Sequence, residues 1–444
     1  MTEVDVVVLG LGPGGEHAAL KLARAGLEVV AIDRRLVGGE CPYFGCIPSK
    51  MMIRAANVLA EARRVGELAG EASVTASWAP VAERIRAEAT DSWDDRAAVE
   101  RLEKSGATFV RGHGRLDGER TVVVGEQRFT ARRGVVLNTG TEPGVPPIEG
   151  LDGTPYWTNR EVVRLQSLPG SLVVLGGGAI GLELAQAFAR FGVQVTVLES
   201  ADRILSAEEP EVSELMSQAL TREGIRVMAG VTIDRVSYDE GRFTLGDVSA
   251  DKLLVAAGRR SNLSDIGLET VGLDPSARSL DTDGQLRVHD GLYAVGDITG
   301  KGAFTHVAMY QAAIAIRDLL GEGGPEADYR AVPRVTFTDP EVGSVGMTEQ
   351  EARAAGLDVR VGMADIPKSA RGWLHKAGNE GLIKVVSDGE VLVGATSVGP
   401  TGGEVLSMLA TAVHARVPVA TLRHMPFAYP TFHRAVESAL TELG

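Results

Sequence analysis

The sequence predicts an α/β protein that contains the same βαβ unit twice. Residues 4–35 and residues 171–199 each show an apolar strand pattern, a glycine-rich turn, an amphipathic helix pattern, a second strand pattern and a final acidic residue. The acid follows the first glycine at the same distance in both copies. This order is typical of Rossmann-like dinucleotide-binding domains, so the repeat predicts two such domains.

The length and charge exclude several classes of protein. At about 100–200 residues per domain, the 444 residues can fold into about two to four domains. The 45 basic and 59 acidic residues give a net charge of −14, which argues against binding to nucleic acid or anionic membranes. No signal peptide is visible, and no apolar run approaches the ~18 residues of a membrane span. We therefore expect a cytoplasmic protein whose partners are small molecules or other proteins.

The first glycine-rich turn has the spacing of a pyrophosphate site. Gly10 permits the tight turn, Gly12 lets the backbone approach a pyrophosphate, and a third glycine within Gly14-Gly15 lets the helix pack close to the strand. The helix N-terminus then offers N–H groups to the phosphates. Asp33, 23 positions after Gly10, ends the next strand and is expected to accept hydrogen bonds from a ribose diol.

The second glycine-rich turn repeats this pattern with Gly176, Gly178 and Gly181. Glu199 follows Gly176 by 23 positions, as Asp33 follows the first glycine of its own turn. A carboxylate here repels the 2′-phosphate of NADP, so Glu199 favours NAD. Arg203 lies nearby and keeps NADP possible.

Two dinucleotide sites in one chain indicate two cofactors that exchange electrons. Hydride transfer from a nicotinamide to a flavin fits this arrangement best. Asp297 follows a short apolar strand in LYAVGD, where a carboxylate can meet the polyol of a flavin. A Gly-Asp pair after a strand is also a common turn, so this feature is weak by itself.

The two cysteines, Cys41 and Cys46, are the only ones in the sequence and lie in GGECPYFGCIPSK. The segment leads into a predicted helix, whose N-terminus, together with Lys50, stabilises a thiolate. A metal site needs more ligands than two cysteines, and a structural disulfide does not suit a reducing cytoplasm. We therefore predict a redox-active dithiol and no metal site.

With these motifs the chain resembles the FAD-dependent pyridine nucleotide-disulfide oxidoreductases, such as lipoamide dehydrogenase, glutathione reductase and mercuric reductase. The resemblance spans essentially the whole chain. It also includes GGGAIGLELA, LLVAAGRRSN, LYAVGD and PRVTFTDPEVGSVGMTEQEA, the last of which resembles the start of the family's dimerisation domain. The resemblance implies FAD and NAD as cofactors, with NADP possible.

The implied fold is α/β, with two Rossmann-like dinucleotide-binding domains plus a C-terminal α+β dimerisation domain. Proline- and glycine-rich segments help to place the boundaries. The expected parts are an FAD-binding domain in 1–147, an NAD(P)-binding domain in 148–264, a second part of the FAD-binding or central domain in 265–330, and the dimerisation domain in 331–444. We expect a homodimer whose active sites are completed by the neighbouring chain.

The resemblance also implies roles for individual residues. Cys46 is the flavin-proximal thiol that forms a charge-transfer complex, and Cys41 is the interchange thiol that meets the substrate. Lys50 and Glu183 match the family's ion pair beside the flavin. Further residues expected to contact the cofactors are Gly114, Gly140, Thr305, Ile180 and Gly258.

The sequence departs from the family near its C-terminus. Members that reduce disulfides or oxidise dithiols carry His-Pro-Thr-x-x-Glu, whereas this chain has Tyr429 and Arg434 in place of the histidine and the glutamate. A tyrosine ordinarily titrates near ~10 and an imidazole near ~6.5, so Tyr429 is a poor proton shuttle at neutral pH. Glu40 replaces the family's usual threonine before Cys41, and its charge should disfavour the Cys41 thiolate or an anionic substrate.

Two further comparisons concern the C-terminal segment. Mercuric reductases use tyrosine in a comparable region but also need a C-terminal cysteine pair, and this sequence has no third cysteine. His433 and Glu437 are four positions apart and form either a displaced base with its orienting carboxylate or, more simply, a surface pair.

Three functions remain open from the sequence. The first is an NAD(P)H-dependent flavoprotein disulfide oxidoreductase with an atypical substrate. The second passes electrons from FAD directly to a quinone or another small acceptor. The third is a non-catalytic, redox-responsive flavoprotein.

Overall fold

The computed structural model describes residues 1–443, which form two compact units. Unit 1 comprises Met1–Pro48, Arg84–Gly144 and Arg259–Tyr329, and unit 2 comprises Ser49–Glu83, Val145–Gly258 and the residues from Arg330 onward.

The strands are β1 (Thr2–Leu9), β2 (Val29–Asp33), β3 (Thr108–Arg111), β4 (Gly114–Leu116), β5 (Thr121–Val124), β6 (Gln127–Leu137), β7 (Thr141–Pro143), β8 (Ser171–Leu175), β9 (Gln194–Leu198), β10 (Arg226–Met228), β11 (Ser237–Asp239), β12 (Arg242–Leu245), β13 (Val248–Ala250), β14 (Lys252–Val255), β15 (Arg259–Ser261), β16 (Arg287–His289), β17 (Leu292–Ala294), β18 (Pro333–Thr336), β19 (Glu341–Gly346), β20 (Arg360–Asp365), β21 (Leu382–Ser387) and β22 (Leu392–Gly399). The α-helices are α1 (Pro13–Arg24), α2 (Glu40–Tyr43), α3 (Cys46–Leu68), α4 (Ala79–Arg84), α5 (Arg96–Lys104), α6 (Asn159–Val162), α7 (Ala179–Arg190), α8 (Pro210–Arg222), α9 (Thr305–Leu320), α10 (Glu349–Ala354), α11 (Ala370–His375), α12 (Gly402–His414), α13 (Val419–His424) and α14 (Arg434–Thr441).

Unit 1 is built on an eight-stranded sheet with the order β16-β17-β6-β1-β2-β3, to which β4 and β5 attach as a hairpin. The central strands β6, β1, β2 and β3 are parallel. Val6, Val7 and Val8 of β1 are fully buried, as expected of a parallel strand that is covered on both faces. Leu22 of α1 and Ile314 of α9 share one apolar core with this sheet.

Unit 2 contains a second parallel sheet with the order β10-β9-β8-β14. The antiparallel strands β11-β12-β13 form a separate small sheet, and its Phe243 is buried in one core with Val173 and Leu253 of the parallel strands. The order β14-β8-β9 repeats the order β6-β1-β2 of unit 1. The two predicted βαβ units therefore fold with the same topology.

The C-terminal part of unit 2 is a five-stranded antiparallel sheet with the order β18-β19-β22-β21-β20. Helices α12 and α14 bury Leu409 and Val436 in a core shared with Val385 of the sheet. The predicted fold class, including the C-terminal α+β part, is confirmed, whereas the four domain boundaries stay predictions. Of the helices in residues 1–443, none is both long and apolar enough to cross a membrane.

Candidate active site

The first glycine-rich turn connects β1 to α1 at the carboxyl edge of the unit 1 sheet. Gly10 has a φ of 91°, in the left-handed region, and a side chain there would collide with the main-chain oxygen of Asn138. A side chain at Gly15 would collide with Gly10 O. Gly12 is the N-cap of α1, and Pro13 occupies its first turn. The backbone therefore has the close approach that a dinucleotide pyrophosphate requires.

Asp33 ends β2 and turns its carboxylate back toward the same turn. Its Oδ2 accepts a hydrogen bond from Leu11 N (2.7 Å), and its Oδ1 accepts one from Arg35 N (2.7 Å). Burial raises the pKa of Asp33, although these two backbone hydrogen bonds and nearby Arg111 act in the opposite direction. Each carboxylate oxygen has a further lone pair, so the expected hydrogen bonds to a ribose diol are compatible with this geometry.

The second glycine-rich turn has the same construction between β8 and α7. Gly176 has a φ of 114°, and a side chain there would collide with Ala256 O. A side chain at Gly181 would collide with Gly176 O, whereas one at Gly178, the N-cap of α7, would enter open space. Ile180 is 40 % exposed in the first turn of α7.

Glu199 reproduces the hydrogen bonds of Asp33. Its Oε2 accepts from Gly177 N (2.6 Å), the residue after the first glycine, and its Oε1 accepts from Ala201 N (2.7 Å). Arg203, which kept NADP open in the sequence analysis, donates to Leu205 O (3.1 Å) and Ser213 Oγ (2.6 Å) within unit 2. These bonds direct the guanidinium toward its own loop and toward α8, which strengthens the case for NAD.

Asp297 follows β17 and lies in a polar network of unit 1. Thr141 Oγ1 donates to Asp297 Oδ2 (2.5 Å), and Arg259 Nε donates to Thr141 Oγ1 (2.6 Å). Gly140 has a φ of 66° next to this network, and Gly258 has a φ of 125° beside Arg259 in sequence. A side chain at either glycine would meet no atom within 4 Å, so the positive φ, which strains any other residue type, explains both glycines.

Gly114 has a different environment from the other predicted cofactor residues. It begins β4 and is buried, and a side chain there would meet Leu9 Cδ1 at 2.5 Å and Ile32 Cγ2 at 3.1 Å. Packing against β1 and β2 accounts for this glycine, and its cofactor contact stays a prediction.

The two cysteines lie in successive helices of one tight segment. Cys41 is half-buried in the short helix α2, and Cys46 is exposed as the first residue of the 23-residue helix α3. Cys46 Sγ lies 3.7 Å from Oγ1 of Thr305, the first residue of α9. The sulfur is therefore close to the N-terminal ends of two long helices, and their dipoles favour a thiolate.

Glu40 has a positively charged neighbour that no sequence motif indicates. Arg259 Nη2 lies 3.8 Å from Glu40 Oε2, and the same guanidinium lies 3.9 Å from Asp297 Oδ2. Both partners of the Glu40–Arg259 pair are about three-quarters buried, so the pair is only moderately screened by solvent. Arg259 thus offsets part of the negative charge beside Cys41.

Lys50 and Glu183 meet, as the resemblance implied, across 133 positions of the sequence. Lys50 Nζ donates to Glu183 Oε2 at 2.7 Å, and Glu183 is 5 % exposed. Glu183 Oε1 accepts from Phe337 N (2.8 Å), and the Lys50 ammonium lies 4.7 Å from the centroid of the Phe337 ring. One carboxylate therefore fixes both the lysine and the backbone that carries the aromatic ring against it.

Two further residues on the same face of α7 as Glu183 anchor the segments around Lys50 and Phe337. Gln186 accepts from Asp339 N (2.8 Å) and donates to Asp339 O (2.7 Å). Arg190, 3 % exposed, donates to Asp339 Oδ2 (2.7 Å) and to Asn57 Oδ1 on α3 (2.6 Å). These contacts tie α3 and the segment around Phe337 to α7.

The C-terminal segment places Tyr429 on the surface, with the side chain 71 % exposed. The Arg434 guanidinium lies 5.6 Å from the centroid of the Tyr429 ring and 3.1 Å from Glu437. His433 precedes α14 directly. Because Glu437 pairs with Arg434, the structure favours the surface-pair interpretation of His433 and Glu437.

Sequence reasoning missed three residues that shape these sites, namely Asn138, Arg259 and Phe337. Asn138 follows β6 and lies against the first glycine-rich turn. Its place directly after a buried strand, in LNTG, was a signal that could have identified it. Phe337 had no comparable signal, because its role depends on a distant glutamate.

Comparison with known proteins decides the family. Residues 4–312 match the Pyridine nucleotide-disulphide oxidoreductase family, and residues 332–440 match the Pyridine nucleotide-disulphide oxidoreductase dimerisation domain. The chain belongs to this family. Its membership confirms the predicted FAD-dependent oxidoreductase that acts on sulfur groups with NAD(P)H as a cofactor, and the dimerisation domain supports a homodimer.

Several relatives cover almost the whole chain. A dihydrolipoyl dehydrogenase of Chlorobaculum tepidum is 32% identical over 98% of this chain and 96% of its own length. A mercuric reductase of Acidithiobacillus ferrooxidans is 34% identical over 98% of this chain and 82% of its own length. Among solved structures, the Cu(II) complex of the HOCl-induced flavoprotein disulfide reductase RclA from Escherichia coli superposes with a TM-score of 0.87 at 26% identity, over 99% of both chains.

Proposed function

We propose that this flavoprotein is a cytoplasmic, NADH-dependent disulfide oxidoreductase that reduces an atypical disulfide substrate and turns over dihydrolipoamide poorly. The overall reaction is NADH + H⁺ + RSSR → NAD⁺ + 2 RSH. The placement of Cys46 at the N-terminal ends of α3 and α9 carries the proposal, because that position stabilises the thiolate needed for a cycling dithiol.

The fit of the cofactors rests on the two glycine-rich turns. At Gly10 and Gly176 only glycine is accommodated, and an acid at the end of the next strand holds each turn by the same backbone hydrogen bond. We assign FAD to the turn in unit 1 and NADH to the turn in unit 2. When bound, FAD supplies two-electron transfer between the nicotinamide and a dithiol.

Residues of the chain would supply the thiol chemistry and the charges around it. Cys46 holds negative charge at the two helix ends, and Cys41 attacks the substrate disulfide as the interchange thiol. Lys50, oriented by Glu183, would hold a fixed positive charge next to the flavin, as the family resemblance implies. Arg259 moderates the charge of Glu40 beside Cys41.

The substrate preference follows from the C-terminal segment. A positioned histidine with its carboxylate would exchange protons with the interchange thiol, and loss of such a general acid–base costs roughly 10²- to 10⁴-fold. Tyr429, stacked with Arg434, provides no imidazole. We therefore expect slow proton transfer at Cys41 with dihydrolipoamide, although reduction of the flavoprotein by NADH should be normal.

A double substitution tests this substrate preference. Tyr429→His combined with Arg434→Glu should raise NAD reduction by dihydrolipoamide, because the imidazole then has an orienting carboxylate. Stopped-flow absorbance under anaerobic conditions measures the NADH-dependent step separately and should give the same rate in both proteins. Rapid dihydrolipoamide oxidation by the unmodified protein would contradict the proposal.

An acceptor screen tests the reaction class. Small disulfides, quinones, dihydrolipoamide, Hg²⁺ and Cu²⁺ are assayed with NADH and NADPH, in the wild type and in Cys41→Ser. Disulfide turnover that is lost in the variant supports the proposal. Quinone turnover that survives in Cys41→Ser supports direct use of FAD, and absence of turnover with every acceptor supports a non-catalytic redox-responsive protein.

A further inference from the structure

Asn138 lies against the first glycine-rich turn of unit 1. It follows β6 directly and is 6 % exposed, so its amide is removed from solvent. A buried amide that lacks hydrogen-bond partners is costly, and its surroundings must therefore supply them.

The neighbours of Asn138 meet this requirement from two separate segments. In the amide orientation that satisfies every partner, its Oδ1 accepts from Gly12 N (3.2 Å) and Gly15 N (3.0 Å), and its Nδ2 donates to Val295 O (3.2 Å). Gly12 and Gly15 belong to the first glycine-rich turn, and Val295 directly precedes the Gly296–Thr299 segment that carries Asp297. One side chain thus ties together the two segments to which we assign the flavin.

Four glycines surround this amide. A side chain at Gly12, Gly14, Gly15 or Gly296 would lie between 2.7 and 3.1 Å from the amide atoms of Asn138. The amide therefore fills the space that these glycines leave open, and the turn has a fixed backbone before any ligand arrives. Preorganisation of this kind lowers the cost of binding.

The βαβ unit of unit 2 lacks this tie. Gly176 lies against Ala256 O just as Gly10 lies against Asn138 O, so Ala256 is the structural equivalent of Asn138. Alanine has no amide to bridge the turn. The contrast matches the different demands on the two cofactors, because a flavin stays bound through turnover whereas a nicotinamide must leave after each cycle.

We propose that Asn138 is a positioning residue that sets the retention of FAD, by joining the first glycine-rich turn to the segment before Asp297. The inference rests on the assignment of FAD to unit 1 and deepens it. Loss of the amide removes three hydrogen bonds and leaves backbone groups unsatisfied, so FAD should dissociate about 10- to 100-fold more readily.

The test measures FAD dissociation from the purified holoprotein. Asn138→Ala and the milder Asn138→Ser, whose hydroxyl keeps part of the hydrogen bonding, are compared with the wild type by flavin fluorescence after dilution and by equilibrium ultrafiltration. We expect the dissociation constant to rise most for Asn138→Ala and less for Asn138→Ser. At saturating FAD, the KM for NADH should stay at the wild-type value. If Asn138→Ala does not fold, Asn138→Ser alone provides the measurement.

Thr90→Ala is the control for general loss of stability. Thr90 is 1 % exposed in unit 1, and its hydroxyl donates to Ile85 O. Its loss should lower the melting temperature without a change in FAD affinity. Wild-type FAD affinity in Asn138→Ser, or an equal loss in Thr90→Ala, would overturn the role of Asn138. A wild-type protein that cannot bind FAD would instead contradict the proposed function.

Discussion

The two glycine-rich turns show how one backbone design serves two different ligands. In both turns the first glycine has a positive φ, the last glycine packs against the first, and an acid 23 positions downstream accepts a hydrogen bond from the residue after the first glycine. These shared features position N–H groups toward a pyrophosphate and leave the identity of the cofactor open.

The difference lies in what covers each turn. A side chain at Gly14 would lie 2.9 Å from Ala308 O of α9, and Asn138, in the amide orientation that satisfies every partner, accepts hydrogen bonds from the same turn. At the equivalent position in unit 2, Ile180 is 40 % exposed, and Ala256 replaces the asparagine. The covered turn suits a resident cofactor and the open turn suits one that is exchanged, so retention is set by the surroundings of the motif.

Alanine substitutions at the last glycine of each turn should have the largest effect, and a different effect in each unit. The added methyl group would collide with Gly10 O in Gly15→Ala and with Gly176 O in Gly181→Ala. Overpacking costs about 1–3 kcal/mol, or roughly 100-fold in binding at the upper end. We expect Gly15→Ala to be purified with little FAD, and Gly181→Ala to stay yellow but to be reduced slowly by NADH. Absorbance at the flavin band and stopped-flow reduction measure the two effects.

Gly192→Ala serves as a control for the loss of a glycine elsewhere in unit 2. Gly192 has a positive φ of 95° and open space around it, so an alanine there introduces backbone strain without a collision. It should leave both flavin content and NADH reduction intact. If Gly181→Ala lost its flavin as well, the assignment of the two turns to separate cofactors would be wrong.

Glu199→Gln should change the preference between NADH and NADPH, which separates the two turns by their cofactor. The glutamine can still accept from the backbone of the turn, but the negative charge that repels a 2′-phosphate is removed. We expect the preference for NADH over NADPH, expressed as the ratio of kcat/KM values, to fall about tenfold, which corresponds to about 1.4 kcal/mol. Asp33→Asn, the matching change in unit 1, should leave this ratio unchanged. An equal shift in both variants would contradict the assignment of Glu199 to the nicotinamide cofactor.

The smallest effect concerns the pH dependence of stability. Burial raises the pKa of Asp33, so the unfolded chain releases this proton at a lower pH than the folded protein. Between the two pKa values the folded state binds more protons, and the free energy of unfolding falls as pH rises. In Asp33→Asn this contribution disappears. The difference in unfolding free energy, variant minus wild type, should therefore increase with pH, as measured by urea denaturation above about pH 4.

Asp5→Asn should show a pH dependence of stability opposite to that of Asp33→Asn. A hydrogen bond from Glu28 N lowers the pKa of Asp5, so its ionisation stabilises the folded state as pH rises. The difference for Asp5→Asn should therefore decrease with pH over the acidic range. Parallel slopes for the two variants would show that burial does not dominate the titration of Asp33.

Much of the fold and part of the site could be predicted from residue patterns alone. The valines of β1 predict a buried parallel strand, because such strands are covered on both faces. Gly10 and Gly176 predict turns with positive φ, because few other residue types adopt that conformation. The motif resemblance also paired Lys50 with Glu183, and the structure brings them to 2.7 Å. In each case the constraint is local or belongs to a motif.

Side chains that belong to no motif make contacts that arise only when distant segments pack together. Arg259 beside Glu40, Phe337 over Lys50, and the hydrogen bonds that turn Arg203 into its own loop depend on segments far apart in the chain or on the path of a loop. Asn138 is the clearest example, because its role requires the ends of β6 and β17 to meet at the first glycine-rich turn. The two cofactor turns could be predicted from the residues alone, since backbone geometry restricts which residues can form them. What surrounds each turn was decided by packing, because a polar side chain is specified by the partners that folding brings to it.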